Sequence, residues 1–305
     1  MTRAIAVDGA APLALDACVA GLQAMRFDPR EEAAFVEAAP LLAGLAAERT
    51  FLGTLMIEEL RGRARTQEQG NDYGAQVVML AKGDGWFIRA NIWPAAGDAL
   101  LRTNGPRSFF YGVPHDHNFS FLTVGYFGPG YWSDYYDYDH DAAVGVPGER
   151  AGLRFVERSA LGEGRMLLYR AHRDVHSQHP ADATSISLNL MQGGAGIAFA
   201  NQYRFDLDRD AIAAQLAHSS SEALLALLPA LGGEEGADLL DRFATSHPCD
   251  RVRFGAIAAQ AGAMHDLDAR SACLARAAED GSRAVRALAR HRLDQLDAGR
   301  GWIGR

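Results

Sequence analysis

Six of the ten histidines in this 305-residue chain, His115, His117, His140, His172, His176 and His179, fall within one window of 65 residues. Near neutral pH an imidazole can move a proton or bind a metal ion. The segment PHDHNFSFLTVGYFGPGYW carries His115 and His117 two residues apart. Read as a strand, it puts His115, His117, Phe119, Phe121 and Thr123 on one face and Asp116, Asn118, Ser120 and Leu122 on the other. Two neutral imidazoles so placed reach a single ion, each at about 2.0–2.1 Å, with the phenylalanines lining a dry interior. A third ligand is needed, and the segment GEGRMLLYRAHRDVHSQHPADATSISLNLMQ offers several. A strand from Arg165 to Arg170 runs into a loop carrying His172, His176 and His179, with His172 and His176 competing for the third position. The next strand alternates Ser185, Ser187 and Asn189 against Ile186, Leu188 and Leu190. A lone loop histidine is ordinarily structural, but a strand pair followed by a loop histidine and an alternating strand points to a metal site.

A second cluster could bind substrate. Twelve of the 27 aromatic residues lie between Phe109 and Tyr138, and GYFGPGYWSDYYDYDHD spans 125–141. Gly125, Gly128, Pro129 and Gly130 mark a turn there. Tyr131, Tyr135 or Tyr138 would hydrogen-bond substrate from a pocket rim, or the same residues pack a hairpin against the N-terminal helices. The acids Asp134, Asp137, Asp139 and Asp141 would attract a basic partner or a cationic substrate. His140, beside aspartates, reads as solvated, and His218, His247, His265 and His291 as structural or exposed. No G-x-S-x-G nucleophile context occurs, and GEG and GGAG lack a phosphate-loop pattern.

Three zones must position these residues. From about 12 to 66, apolar residues recur at helical spacing (Phe35, Leu41, Leu42 and Leu45, then Phe51, Leu52, Leu55, Met56 and Leu60), and Asp28-Pro29 reads as an N-cap with proline at the first helical position. From about 73 to 206 the period is two, with runs such as AQVVML, GWFIRANIW, FSFLTVGYF and TSISLNLM between Gly, Pro, Asn and Asp clusters. Many short strands so spaced indicate an all-β sandwich or barrel. The remainder is helical and repeats: Val252-Arg253 recurs as Val285-Arg286, 33 residues on. The expected division is an N-terminal helical cap at 1–72, a barrel at 73–206 and a helical domain at 207–305.

Composition narrows the classes. With 38 acidic and 30 basic residues the net charge is −8, which argues against a nucleic-acid partner. At 48% hydrophobic and 22% charged, the chain has the make-up of a folded globular protein. Lys82 is its one lysine among 29 arginines, a bias that fits a GC-rich genome. Cys18, Cys249 and Cys273 fit neither a disulfide framework nor a zinc site and suit a reducing cytoplasm. Asp8 and Asp16 interrupt any signal-peptide core, and no run of 18 apolar residues exists, so a membrane span is not expected.

The HxH pair, the glycine-led second segment and the histidine before a partner strand together resemble a cupin. That resemblance implies a small jelly-roll barrel holding iron or another divalent metal. The usual glutamate ligand after the HxH is missing, since positions 120 to 125 read Ser, Phe, Leu, Thr, Val and Gly. What is left resembles the three-histidine site of the thiol dioxygenases, and DVHSQHPADATSISLNLM is similar to the cysteine-dioxygenase segment. Carried over, the ligands are His115, His117 and His176, with Asn189 at a position that is histidine in that family. No cysteine follows the HxH, so the family's Cys–Tyr crosslink has no counterpart, and Arg89 is the candidate for a substrate carboxylate. The C-terminal stretch resembles HEAT-type repeats, whose paired helices stack, with a plain helical bundle as the alternative.

The implied function is that of a mononuclear non-haem Fe(II) dioxygenase. Three neutral ligands leave about three open positions on the metal, enough for a chelating substrate and O₂. A 2-oxoglutarate enzyme would ordinarily need HxD or HxE, which neither HDH nor HNF supplies. Two rivals use the same barrel. A cupin isomerase or lyase would employ Zn, Mn or Ni as a Lewis acid without O₂. A ligand sensor would signal through the helical tail, which could instead recruit a peptide or protein substrate.

Overall fold

The computed structural model describes residues 3–71, 73–74 and 76–303; Asp72, at the expected end of the helical cap, lies outside the described residues. The chain forms two compact units, Met1–His140 with Gly152–Ile197, and Asp141–Ala151 with Ala198–Arg305.

The first unit contains β1 (Arg3–Ile5), α1 (Leu15–Ala24), α2 (Glu32–Ala47), α3 (Phe51–Arg61) and α4 (Arg65–Gly70), followed by β2 (Val77–Lys82), β3 (Trp86–Trp93) and α5 (Ala99–Asn104). Then come β4 (Phe121–Phe127), β5 (Trp132–Asp137), β6 (Arg154–Ala160), β7 (Met166–Tyr169), β8 (Asp174–His179) and β9 (Ser185–Gln192). Two antiparallel sheets result, one in the order β1-β7-β4-β9-β3-β2 and one in the order β6-β5-β8. This is the two-sheet, jelly-roll kind of core that the alternating pattern called for.

Period-two alternation divides the larger sheet cleanly. Ile88, Ala90, Leu122, Val124, Leu168, Leu188 and Leu190 pack on Phe35, Leu42 and Leu45 of α2 and on Leu22 of α1. Their neighbours Trp93, Phe121, Leu167, Tyr169 and Met191 face the smaller sheet, where they meet Tyr131 and Tyr135. One face is thus closed by helices and the other becomes the barrel interior.

Three local expectations need correction. Asp28-Pro29 does not start the helix: α2 begins at Glu32 after Glu31, and Asp28 instead accepts the Arg30 backbone N–H in a turn. The HxH pair is not inside a strand, because β4 starts at Phe121 and His115 makes only an isolated antiparallel bridge to His176. His176 and His179 lie in β8, not in a loop; β8 pairs along its length with β5.

In the second unit, β10 (Tyr203–Asp206) and β11 (Ala211–Gln215) form a hairpin. It precedes α6 (Ser220–Leu231), α7 (Gly233–Ser246), α8 (Asp250–Ala263), α9 (Leu267–Ala277) and α10 (Arg283–Ile303). The two Val-Arg pairs behave alike. Val252 and Val285 are fully buried between helices. Arg253 pairs with Asp250 and Asp280, and Arg286 donates to the carbonyls of Asp280 and Gly281.

Candidate metal centre

The backbone brings the two histidine segments together. His115 and His176 exchange N–H···O bonds, both 3.0 Å, so their side chains project to the same side. The His172 N–H donates to the His117 carbonyl at 2.7 Å, fixing the end of the HxH segment. His172 holds a left-handed φ of 60°, a region that histidine enters more readily than most residues other than glycine.

Three imidazoles converge as a result. Ring centroids are 4.8 Å apart for His115 and His117, 4.6 Å for His115 and His176, and 5.0 Å for His117 and His176. One nitrogen from each lies within 4.8 Å of the others, and all three residues are buried. His115 Nε2 and His176 Nε2 are 3.3 Å apart. Two nitrogens bound at about 2.0–2.1 Å and subtending a roughly tetrahedral angle would show that spacing.

Protonation favours ligation. The Val113 carbonyl can only accept, so His115 Nδ1, 2.7 Å away, must carry the proton, which leaves the Nε2 lone pair pointing at the cluster. Burial pushes the His115 pKa from 6.5 down to about 4, against a smaller upward pull from the Val113 hydrogen bond. Burial also drives His117 and His176 well down, helped for His117 by the charges of His115, His176 and Arg89 and for His176 by that of His115. All three are therefore neutral at pH 7. Nδ1 of His117 and of His176 is buried without a hydrogen-bond partner among the described residues. An all-imidazole donor set with no carboxylate suits a first-row divalent ion, so the residues present fit a metal centre.

Rings wall the interior around this cluster. His117 meets Phe119 at 5.0 Å and Phe121 at 4.9 Å, and Phe121 stacks on Tyr169 at 4.4 Å with 5° between planes. Tyr169 lies 4.9 Å from His176, and its hydroxyl is 2.9 Å from that of Tyr135. The Tyr131 ring lies 4.1 Å from that of Trp93, tilted by 39°. Burial raises the pKa of Tyr131, Tyr135 and Tyr169, keeping all three phenols protonated. Arg89 sits on the interior face of β3, paired with Asn189 in the sheet register, its guanidinium 4.8 Å from the Tyr73 ring. Burial pulls its pKa down, and no carboxylate among the described residues pairs with it.

The expected residues therefore separate. His115, His117, His176, Arg89, Tyr131 and Tyr135 reach the interior. Tyr138 does not: its hydroxyl donates to Asp116 Oδ2 at 2.5 Å, on the far side of the HxH segment. The His172 ring lies 4.2 Å from that of His140, tilted by 39°, and is not part of the three-imidazole cluster. Asn189 accepts from Thr123 at 2.5 Å. His179 pairs with Asp134, which also binds Arg158, and Asp137 pairs with Arg154, so both acids are already matched within the fold. One interior residue, Tyr169, and one exposed neighbour of the cluster, Phe110, carry no clear mark in the sequence. Tyr169 was signalled only by the alternation in MLLY, which pairs it with inward Leu167. Phe110 lies 5.4 Å from His115 and holds φ at 61°, which no sequence pattern marks.

No protein-family model matches the chain, and no curated protein matches it. Among solved structures it is similar to the hydroquinone 1,2-dioxygenase PnpCD in complex with Cd2+ and 4-hydroxybenzonitrile, at 11% identity and TM-score 0.26, over 42% of this chain and 71% of that one. It is similar to hydroquinone 1,2-dioxygenase from Sphingomonas sp. TTNP3 with 4-hydroxybenzoate bound, at 12% identity and TM-score 0.27, over 41% and 70%. It is also similar to the DMSP lyase DddQ from Ruegeria pomeroyi DSS-3, at 15% identity and TM-score 0.24, over 64% and 79%. Likenesses this weak assign neither substrate nor reaction.

Proposed function

We propose that the chain is a mononuclear Fe(II) enzyme that oxidises a small carboxylate- or thiol-bearing molecule with O₂. The observation that carries this reading is the convergence of three buried, neutral imidazoles, His115, His117 and His176, with no carboxylate among them. When bound, Fe(II) supplies open coordination positions and the electrons for O₂ chemistry. The protein's own residues do the rest. Arg89, lacking an acidic partner among the described residues, binds the substrate carboxylate and so orients the molecule toward the histidines. Tyr131 and Tyr135, kept protonated by burial, the latter in hydrogen-bond contact with Tyr169, donate hydrogen bonds to oxygen atoms of the reacting group. Phe119 and Phe121 exclude water from that space.

A second reading, a Lewis-acid isomerase or lyase, is favoured by the same linked phenols, which can relay a proton without O₂. The three cysteines are free, which agrees with a reducing, cytoplasmic setting. The repeated Val-Arg pairs support reading α8 to α10 as HEAT-like stacked helices that recruit a peptide or transmit a ligand signal.

The test is an oxygen electrode trace with Fe(II)-loaded protein and a panel of thiol carboxylates. Substrate-dependent O₂ uptake, lost in Arg89→Met, supports oxygenase chemistry. Substrate loss without O₂ uptake, sustained by Zn(II) or Mn(II), transfers the assignment to the lyase class.

A further inference from the structure

Away from the metal centre, α6 presents a nearly continuous apolar surface. Its sequence, SSEALLALLPAL, has one charged residue, Glu222, and that residue is tied to Arg251. Leu224, Leu227 and Leu231 recur at i, i+3 and i+7 and are 63%, 53% and 80% exposed. A helix apolar on so many sides ordinarily has a covering partner. With Leu228, and with Leu239 and Phe243 of α7, these leucines line a groove of about 400 Å³. The groove is preformed, because the two helices meet in a tight hairpin: a Cβ at Gly232 would lie 2.8 Å from Gly236 Cα and 2.9 Å from the Leu228 carbonyl.

Charge selects the occupant. Exposed Glu235 and Asp238 lie on the flank of α7 that borders Leu239, beside Arg242, that helix's one basic residue, while Glu234 and Asp241 turn away from the groove and Asp241 accepts from Gln260. Glu234, Glu235 and Asp238 have no ion-pair partner among the described residues. A second copy of this surface would set acidic rim against acidic rim, and an anionic membrane would be repelled in the same way. A helix with leucine-like anchors at i, i+3, i+4 and i+7 and lysine or arginine along its flanks matches both features.

We infer that the α6–α7 groove is a docking site for a basic amphipathic helix of a partner protein. The metal centre lies in the other unit.

The test uses the full chain and a labelled, leucine-anchored helical peptide of about 18 residues with lysine flanks, followed by fluorescence polarisation, beside the same peptide with glutamate flanks. The inference predicts micromolar binding of the lysine peptide, about tenfold or more weaker binding of the glutamate peptide, and loss of affinity as salt is raised. Leu227→Asp should weaken binding by about tenfold or more while metal content stays the same. The double change Glu235→Lys with Asp238→Lys, on exposed positions that do not disturb folding, should reverse the preference. Equal affinity for both peptides, or no binding to the wild type, overturns the inference. So does sedimentation showing a dimer that Leu227→Asp dissociates, or co-sedimentation with phosphatidylserine vesicles in place of peptide binding.

Discussion

Acid titration of the metal-free protein exposes how the three ligands are kept neutral. In the unfolded chain His115 titrates near 6.5, and in the folded chain burial lowers it to about 4. Between these values the unfolded state binds the extra proton, so the stabilising contribution is complete above about pH 6.5 and is lost as pH falls toward 4. For His115 alone the loss between pH 7 and pH 5 is about 2 kcal/mol. His117 and His176, shifted in the same direction, add to it. The window is informative because carboxylates held low, such as Asp134 beside Arg158 and Asp98 beside Thr184, lose their contribution only at more acid pH. The assay is urea unfolding of chelator-treated protein at pH 7, 6 and 5. His115→Asn retains a donor for the Val113 carbonyl but cannot take a proton, so its stability should fall less over the same interval. Stability that is flat or rises from pH 7 to pH 5, or an equal slope in His115→Asn, would refute the proposition that burial holds these imidazoles neutral.

Further outcomes follow from other parts of the first unit. Arg89→Met removes a guanidinium that burial disfavours and no described carboxylate balances; melting temperature should hold or rise. The thermal shift that mercaptoacetate gives the metal-loaded protein should be lost, since a hydrogen bond to a charged group contributes about 1.5–3 kcal/mol. Leu122, fully buried opposite Leu168 and Leu190 between sheet and helices, should cost about 2–5 kcal/mol in urea unfolding when changed to alanine, with metal stoichiometry intact in the folded fraction. Gly125→Ala would place a Cβ 2.0 Å from the Gly162 carbonyl oxygen, and a loss of at least about 1–3 kcal/mol is expected. Gly53→Ala in α3, with nothing within 4 Å, should instead gain about 0.5–1 kcal/mol, as calorimetry would show.

The alternation in TSISLNLM told where each residue of β9 points, because a strand between a helical layer and an interior has two distinct environments. The HxH spacing likewise found two ligands although the segment is not a strand, since an extended backbone alternates its side chains whether or not a neighbour pairs with it. What failed to show was long-range. Nothing local distinguishes Tyr138 from Tyr131 and Tyr135, yet Tyr138 lies past the end of β5 and turns to Asp116. Register with β5, not the loop pattern, draws His176 inward and leaves His179 on the outer side with Asp134. Tyr169 belongs to the interior through pairings made 34 or more residues away, and Phe110, itself exposed, reaches His115 from a left-handed backbone position. Nothing in SSEALLALLPAL marks which leucines a neighbour covers, and only the folded hairpin leaves Leu224, Leu227 and Leu231 exposed.

Metal analysis of the purified chain beside His115→Ala, His176→Ala and His172→Ala tests the central claim most directly. The three-imidazole centre predicts about one divalent ion per chain in the wild type and in His172→Ala, and loss of most of it in the other two. Full occupancy in both His115→Ala and His176→Ala would contradict it.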